Sequence, residues 1–321
     1  MGMITILGGS GFIGTNLCLL LASRQIPFEI IDLVPSVQFP DKTKIADIRD
    51  KGSLQNTITG QIVVNLAAVH TDDVSDPNEY YETNVFGSRN LAEVCAAKGI
   101  NKIIFTSSVA VYGFAKLGTD ETGAINPFNA YGKSKYQAEE ELEQWRAENP
   151  DERALLVVRP TVVFGEGNRG NVYNLIKQIS SGRFVMVGDG KNQKSMAYVQ
   201  NIAAFLLTCV TTKTTYGIYN YVDTPDYEMN TLVAHVRKTM LGKDNVGPRL
   251  PKWAGLVLGW VADVVAKITG KKLPISRIRV QKFTSSTSFG TSKNELDGFE
   301  APYTLQDGLE HTLTALKNGE G

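Results

Sequence analysis

MITILGGSGFIGTNLCLLLAS, Met3–Ser23, is the stretch that decides the fold. Its first five residues are apolar or β-branched without polar alternation, which suits a strand buried on both faces. Glycines follow, and FIGTNLCLLLAS then carries apolar side chains at helical spacing. Strand, tight turn and helix succeed one another with nothing between them. Gly8, Gly11 and Gly14 form a GxxGxxG at the helix start, where the chain turns tightly and a diphosphate can approach free N–H groups and the positive end of the helix dipole. A glycine triplet alone is weak evidence; this one sits between a strand and a helix, and an acid, Asp32, ends the next strand. Asp32 is placed to accept hydrogen bonds from both ribose hydroxyls and to repel a 2′-phosphate, favouring NAD over NADP.

The same rhythm extends outward. PFEIID, IVVNLA, KIIFTSS and ALLVVR are each followed by a turn and a helix-length segment, as in βαβ units. Beyond Arg159 the pattern breaks into the glycine-rich turns FGEGNRGN and VGDGKNQ, then a helix near 201–209, a short strand near 217–221 and a helical C-terminal region. The expected fold class is α/β: a Rossmann-type doubly wound parallel sheet with a smaller, mainly helical substrate-binding lobe. Residues 1–165 and 196–225 are expected to form the NAD-binding domain, and 166–195 and 226–321 the lobe.

With 33 basic and 33 acidic residues in 321, no global charge recruits nucleic acid. Cys18, Cys95 and Cys209 are far apart in apolar helical patterns and read as reduced core residues. The three histidines are scattered, so no metal site is expected. The N-terminus shows no basic segment or cleavage site, and a cytoplasmic location is expected.

A tyrosine four residues before a lysine can share a helix face with it, and three such pairs occur: Tyr112/Lys116, Tyr131/Lys135 and Tyr173/Lys177. Context selects the second. Tyr131 begins YGKSKYQAEEELEQW, the long helix after the strand ending in TSS, and so can face Ser108. Bringing a tyrosine from its usual pKa near 10 to neutrality takes about 4 kcal/mol. One ammonium about 4 Å away, at an effective dielectric near 20, supplies that order of energy.

At these residues the chain resembles the extended short-chain dehydrogenase/reductases, specifically the sugar-nucleotide epimerases and dehydratases. GGSGFIG, Asp47-Ile48-Arg49, NLAA, TNVFG, TSSVAVYG and YGKSK carry the likeness over essentially the whole chain. The resemblance implies NAD held by Gly8, Gly11, Phe12, Ile13, Gly14, Asp32, Asp47, Ile48, Leu66, Ala67, Ala68, Asn84, Ser107, Pro160 and Val162, together with Tyr131 and Lys135. It also implies a catalytic Ser108, Tyr131 and Lys135, with Tyr131 as the base on a sugar C4 hydroxyl, and a homodimer.

The substrate end departs from the nucleotide-sugar pattern. Where many relatives read GDGxQxRDFxYVxD, this chain reads GDGKNQKSMAYVQN, and Lys194 stands in the place of an arginine that pairs with diphosphate. A lysine is a point charge without the bidentate fork. Val162 likewise replaces the asparagine of RxxNVYG. Arg169 and Asn171 are alternative phosphate or acetamido contacts.

KWAGLVLGWVADVVAKITGKK, Lys252–Lys272, adds a candidate membrane-interface helix over 252–270. Wound at about 100° per residue, it gathers Trp253, Val257, Val261, Val264 and Ile268 into a wide apolar arc opposite Asp263 and Lys267. It is too short and interrupted to span a bilayer. From Arg249 to Lys282 eight basic residues face one acid, as suits an interfacial helix near anionic lipid; the alternative is a helix packed on the lobe. Together with GNRGNVYN, KNQKSMAYVQNI and RVQKF, the segment resembles the bacterial 4-epimerases acting on N-acetylglucosamine attached through diphosphate to undecaprenol, in O-antigen synthesis. That resemblance implies a lipid-linked diphosphate amino sugar as substrate, peripheral contact with the cytoplasmic face of the inner membrane, and Arg277, Arg279 or Lys282 near the diphosphate. A soluble epimerase of a uridine diphosphate sugar is the alternative, and a nucleotide 4-ketosugar reductase the next.

Overall fold

The computed structural model describes residues 2–71, 74–270 and 276–319. It divides into two compact units: residues 1–163, 197–223 and 289–304, and residues 164–196, 224–288 and 305–321.

The first unit is built on a parallel sheet of β1 (Ile4–Leu7), β2 (Phe28–Asp32), β3 (Thr43–Ile45), β4 (Ile62–Asn65), β5 (Lys102–Thr106), β6 (Ala154–Pro160) and β10 (Tyr216–Tyr221), ordered β10-β6-β5-β4-β1-β2-β3. Ile4 pairs with Phe28 on one side and Ile62 on the other, and Lys102 with Ile62 and Ala154. The strand order reverses between β1 and β4. Ligands bind at such switch points, beyond the carboxyl ends of the strands. Both faces are covered, which is why the strands read as unbroken apolar runs. Against one face pack α1 (Phe12–Ser23) and α7 (Val199–Thr211), through Leu17, Leu21, Ile202 and Phe205. Against the other pack α2 (Lys51–Thr57), α4 (Gly87–Lys98) and α5 (Ala130–Ala147), through Leu54, Leu91, Ala138 and Leu142. A short α3 (Asn78–Tyr80) and a π-helical turn, Tyr81–Phe86, lead into α4. The three cysteines are free and buried.

One boundary differs from the sequence reading. Phe289–Thr304, assigned there to the second lobe, belongs to the first unit. Asn220 Nδ2 donates to Gly290 O at 3.0 Å, and Leu296 and Phe299 enter the core, with the Phe299 ring 5.0 Å from that of Phe205. These partners are distant in sequence, so no local pattern announces them.

The second unit contains α6 (Asn171–Ser180), α8 (Met229–Leu241), α9 (Lys252–Thr269), α10 (Arg277–Thr284), α11 (Leu305–Lys317) and the parallel pair β8 (Met186–Val187) and β12 (Arg249–Leu250). β7 (Val162–Phe164), β9 (Gln193–Tyr198) and β11 (Asp223–Glu228) carry the chain across the boundaries.

In α9 the narrow stripe is the packed one. Only Gly255 and Gly259 are buried; a Cβ on Gly259 would stand 2.8 Å from the Arg277 backbone, and one on Gly255 2.5 Å from Val187. Asp263 on the same stripe accepts from the Arg277 N–H at 3.0 Å, capping α10. The broad arc faces outward: Trp253 is 71% exposed, Ile268 78%, and Val257, Val261 and Val264 52%, 44% and 38%. Within its unit the helix is therefore not packed through its apolar face. Among the described residues no helix is long and apolar enough to cross a membrane. Lys271 and Lys272 lie outside the described residues.

Candidate active site

The glycine turn is a cradle that side chains would fill. Gly8 has φ +75°, and a Cβ there would stand 2.7 Å from the Ala67 nitrogen; one on Gly14 would stand 2.5 Å from Gly8 O. Gly11 is the extended N-cap residue of α1 and brings no capping side chain, so the first N–H groups of the helix find no acceptor in the cap residue itself. Asp32 accepts from Ser10 N at 3.0 Å and Leu33 N at 2.7 Å, pinning the turn to the end of β2. Asp47, next to Ile48, forms an ion pair with Arg49, which holds its carboxyl below the usual range. At the end of β4, Asn65 Oδ1 accepts from Ala67 N at 3.1 Å and so shapes Leu66–Ala68. Asn65 Nδ2 and Ser107 Oγ are buried polar atoms without a hydrogen-bond partner among the described residues. Such atoms are uncommon in a finished interior. With the glycine cradle, they fit a polar ligand lying across the switch point, as a dinucleotide would. Of the two remaining positions, Pro160 is buried and Val162 is exposed.

Ser108 follows the fifth strand and caps the 3₁₀ turn Val109–Tyr112, its Oγ accepting from Ala110 N at 3.1 Å. Tyr131 stands in the first turn of α5, whose start is fixed by Asn129 accepting from Gly132 N at 2.8 Å. Its ring lies 6.1 Å from that of Tyr80. One turn on, Lys135 is buried with its Nζ 4.2 Å from the centre of the Phe105 ring. Burial pushes this ammonium down to about 7, against a partial upward pull from Glu139; the ring face recovers some of the lost hydration.

Asn84 lies in the π-helical turn, a feature that recurs at functional sites. It accepts from Val69 N at 2.9 Å and donates to Val69 O at 3.1 Å and Ser134 Oγ at 2.9 Å. Ser134 Oγ in turn donates to Tyr131 O at 2.9 Å. Asn84 thus steadies the opening turn of the tyrosine's helix as well as the segment after β4.

Of the rival pairs, one has its tyrosine engaged elsewhere and the other lies on α6 of the second unit. Tyr112 is buried and donates to Asn220 Oδ1 at 2.8 Å; Lys177 Nζ lies 5.9 Å from the Tyr173 ring. Sequence reasoning missed the partner of Tyr112: Arg159, on β6, donates to its hydroxyl at 2.7 Å and through Nε to Glu139 of α5 at 3.0 Å. The signal was present, since an arginine inside an apolar strand requires a buried acid.

In the second unit, Asn171 begins α6 and Arg169 precedes it in an exposed loop. Lys194 donates to Lys282 O at 2.9 Å and Ser285 O at 2.6 Å, closing the carboxyl end of α10, and burial pushes its ammonium down to about 8. Two of its three protons are thereby committed within the fold. Arg277 and Arg279 are exposed on the first turn of α10. A cavity of about 590 Å³ opens at the start of α9, with Asp189, Asn192, Arg249, Lys252 and Thr284 in its wall.

The model of the NAD dependent epimerase/dehydratase family matches residues 4–221. The chain belongs to that family. Among curated members, it is 48% identical over 312 residues, 97% of the chain and 94% of the relative, to an N-acetyl-alpha-D-glucosaminyl-diphospho-ditrans,octacis-undecaprenol 4-epimerase of Escherichia coli O157:H7. It is 27% identical, over 97% of the chain and 94% of the relative, to a UDP-glucose 4-epimerase of Vibrio cholerae. Solved structures with the same fold include a UDP-glucose 4-epimerase of Thermotoga maritima with UDP-glucose, at TM-score 0.77 and 21% identity over 99% of both chains. Another is a UDP-N-acetylglucosamine 4-epimerase from Bacillus cereus, at TM-score 0.77 and 16% identity over 99% of this chain and 100% of the other. The doubly wound architecture is the family's.

Proposed function

We propose that the protein is an NAD-dependent 4-epimerase interconverting N-acetylglucosaminyl- and N-acetylgalactosaminyl-diphosphoundecaprenol. The observation that carries the substrate is the 48% identity, across nearly both full lengths, to a relative named for that lipid-linked sugar. The residues for the chemistry are Ser108, Tyr131 and Lys135 on consecutive elements of the sheet domain. The glycine cradle, Asp32 and the segment Leu66–Ala68 would hold NAD, which when bound would supply a hydride acceptor and donor at sugar C4. Tyr131 takes the proton of the C4 hydroxyl as its C–H bond breaks, Ser108 holds the same oxygen, and Lys135 stabilises the phenolate. When hydride returns to the opposite face of the 4-keto sugar, Tyr131 gives the proton back. The cycle consumes nothing, as an isomerisation requires.

The place of action is the cytoplasmic face of the inner membrane. The outward apolar arc of α9 and the basic residues around it support this reading. For the diphosphate, Lys252 and Arg249 in the cavity wall join Arg277 and Arg279 as cationic groups of the second unit. Purified enzyme offered lipid-linked and uridine-diphosphate-linked N-acetylglucosamine in parallel tests the proposal. Inversion at C4 of the lipid-linked sugar is expected, and turnover of the nucleotide sugar alone refutes it.

A further inference from the structure

Tyr131, Lys135 and Glu139 occupy successive turns of one face of α5, at spacing i, i+4, i+8. Glu139 is 1% exposed and Arg159 on β6 is 3% exposed, a buried ion pair that reaches on through Tyr112 to Asn220 of β10. Placing two charges inside a protein costs several kcal/mol each unless geometry compensates. The first turn of α5 is already held by Asn129 and Ser134, so anchoring the helix does not by itself call for a charged pair.

We infer that Glu139 is a positioning residue for Lys135: its carboxylate, clamped by Arg159, fixes the next turn of α5 and keeps the Lys135 ammonium charged beside Tyr131. The inference rests on the reading of Tyr131 as the base. A neutral Lys135 would leave the phenolate without its counter-ion, and burial favours neutrality, with the Phe105 ring face offsetting only part of the lost hydration. Glu139 is the charged group acting on it in the direction of protonation. The groups facing Glu139 are Lys135 of its own helix, Arg159 of β6 and, through Arg159, the Tyr112 hydroxyl of the 3₁₀ turn. Tyr136 of α5 also senses both charges. Arg159 donates to Glu139 through Nε at 3.0 Å and pairs with it through Nη2 as well, so the carboxylate is held in place by a two-point contact from β6.

Three variants test this. Glu139→Gln leaves Arg159 buried and unpaired and is expected to lower the melting temperature and to lower kcat at pH 7 at least about tenfold, with KM within about twofold. The double variant Glu139→Gln with Arg159→Met removes the stranded charge and is expected to regain the melting temperature, while the alkaline limb of its kcat–pH profile stays about one pH unit or more below that of the wild type. Glu139→Asp keeps the charge and is expected to keep the limb. A readout independent of turnover is the Tyr131 phenolate, followed by ultraviolet difference absorbance against a Tyr131→Phe background; in the double variant it is expected to titrate at higher pH. If the double variant recovers the wild-type pH limb along with its stability, Glu139 only holds the fold and the inference is overturned. Should Glu139→Gln fail to fold, the double variant decides alone. A fully active Tyr131→Phe enzyme would instead overturn the reading of Tyr131 beneath it.

Discussion

Replacing Val257, Val261 and Val264 by serine separates a membrane-docking α9 from a core-packed one. These side chains are 52%, 44% and 38% exposed, and within the unit the buried contacts of α9 are made by Gly255 and Gly259. Fully burying a valine side chain is worth about 1.5 kcal/mol at the low end. With roughly half of each surface free for lipid, the three substitutions forfeit about 2 kcal/mol of interfacial transfer, or about 30-fold in partitioning. The basic rim is untouched, so the electrostatic part of binding, roughly 1 kcal/mol for each basic residue near an anionic surface, remains and still weakens with salt. Sedimentation with vesicles containing anionic lipid, set beside a thermal melt, reads both quantities. The expected result is a partition coefficient lower by more than an order of magnitude and a melting temperature within a few degrees of the parent. Loss of the folded protein, or unchanged partitioning, would refute the reasoning.

Other consequences concern the sheet domain. Tyr131→Phe removes the proposed proton acceptor and leaves the cradle intact, so turnover is expected to be abolished while NAD binding, followed by calorimetry, persists. Lys135→Met is expected to abolish turnover yet stabilise the NAD-free protein in acid. Burial lowers this group from 10.5 to about 7 in the folded state, so unfolding takes up a proton between those values and stability rises with pH across that window. The charged form costs the fold as much as about 5 kcal/mol below pH 7, a penalty the methionine does not carry. Melting temperatures of wild type and variant should therefore differ most near pH 6 and converge towards pH 10; a gap independent of pH would show that Lys135 is not the titrating group.

The sheet was legible because its signals are local: unbroken apolar strands, a glycine turn at a helix start, an acid closing the second strand. The choice of Tyr131 among three tyrosine–lysine pairs also rests on local grounds, since only that pair opens a long helix after a strand. What stayed hidden depended on partners remote in sequence. Phe299 joins the core against Phe205 and Tyr221 from a segment with no periodicity of its own. Arg159 and Glu139 looked like a strand residue and one of four glutamates in a polar helix until the fold paired them.

In α9 the missing information was which side carries the packing. Periodicity alone grouped Trp253, Val257, Val261, Val264 and Ile268 correctly, and the ordinary rule turns such an arc inward. The opposite stripe holds the answer: with a Cβ on Gly259 only 2.8 Å from the Arg277 backbone, no other residue allows α10 to approach that closely, and Asp263 closes the contact by capping the neighbour's first turn. A helix can dock through its backbone only along a stripe without side chains. When that stripe is narrow and the arc behind it is broad and apolar, the large surface must find its solvent elsewhere, and a lipid interface ringed by basic residues is one that satisfies both the arc and its rim.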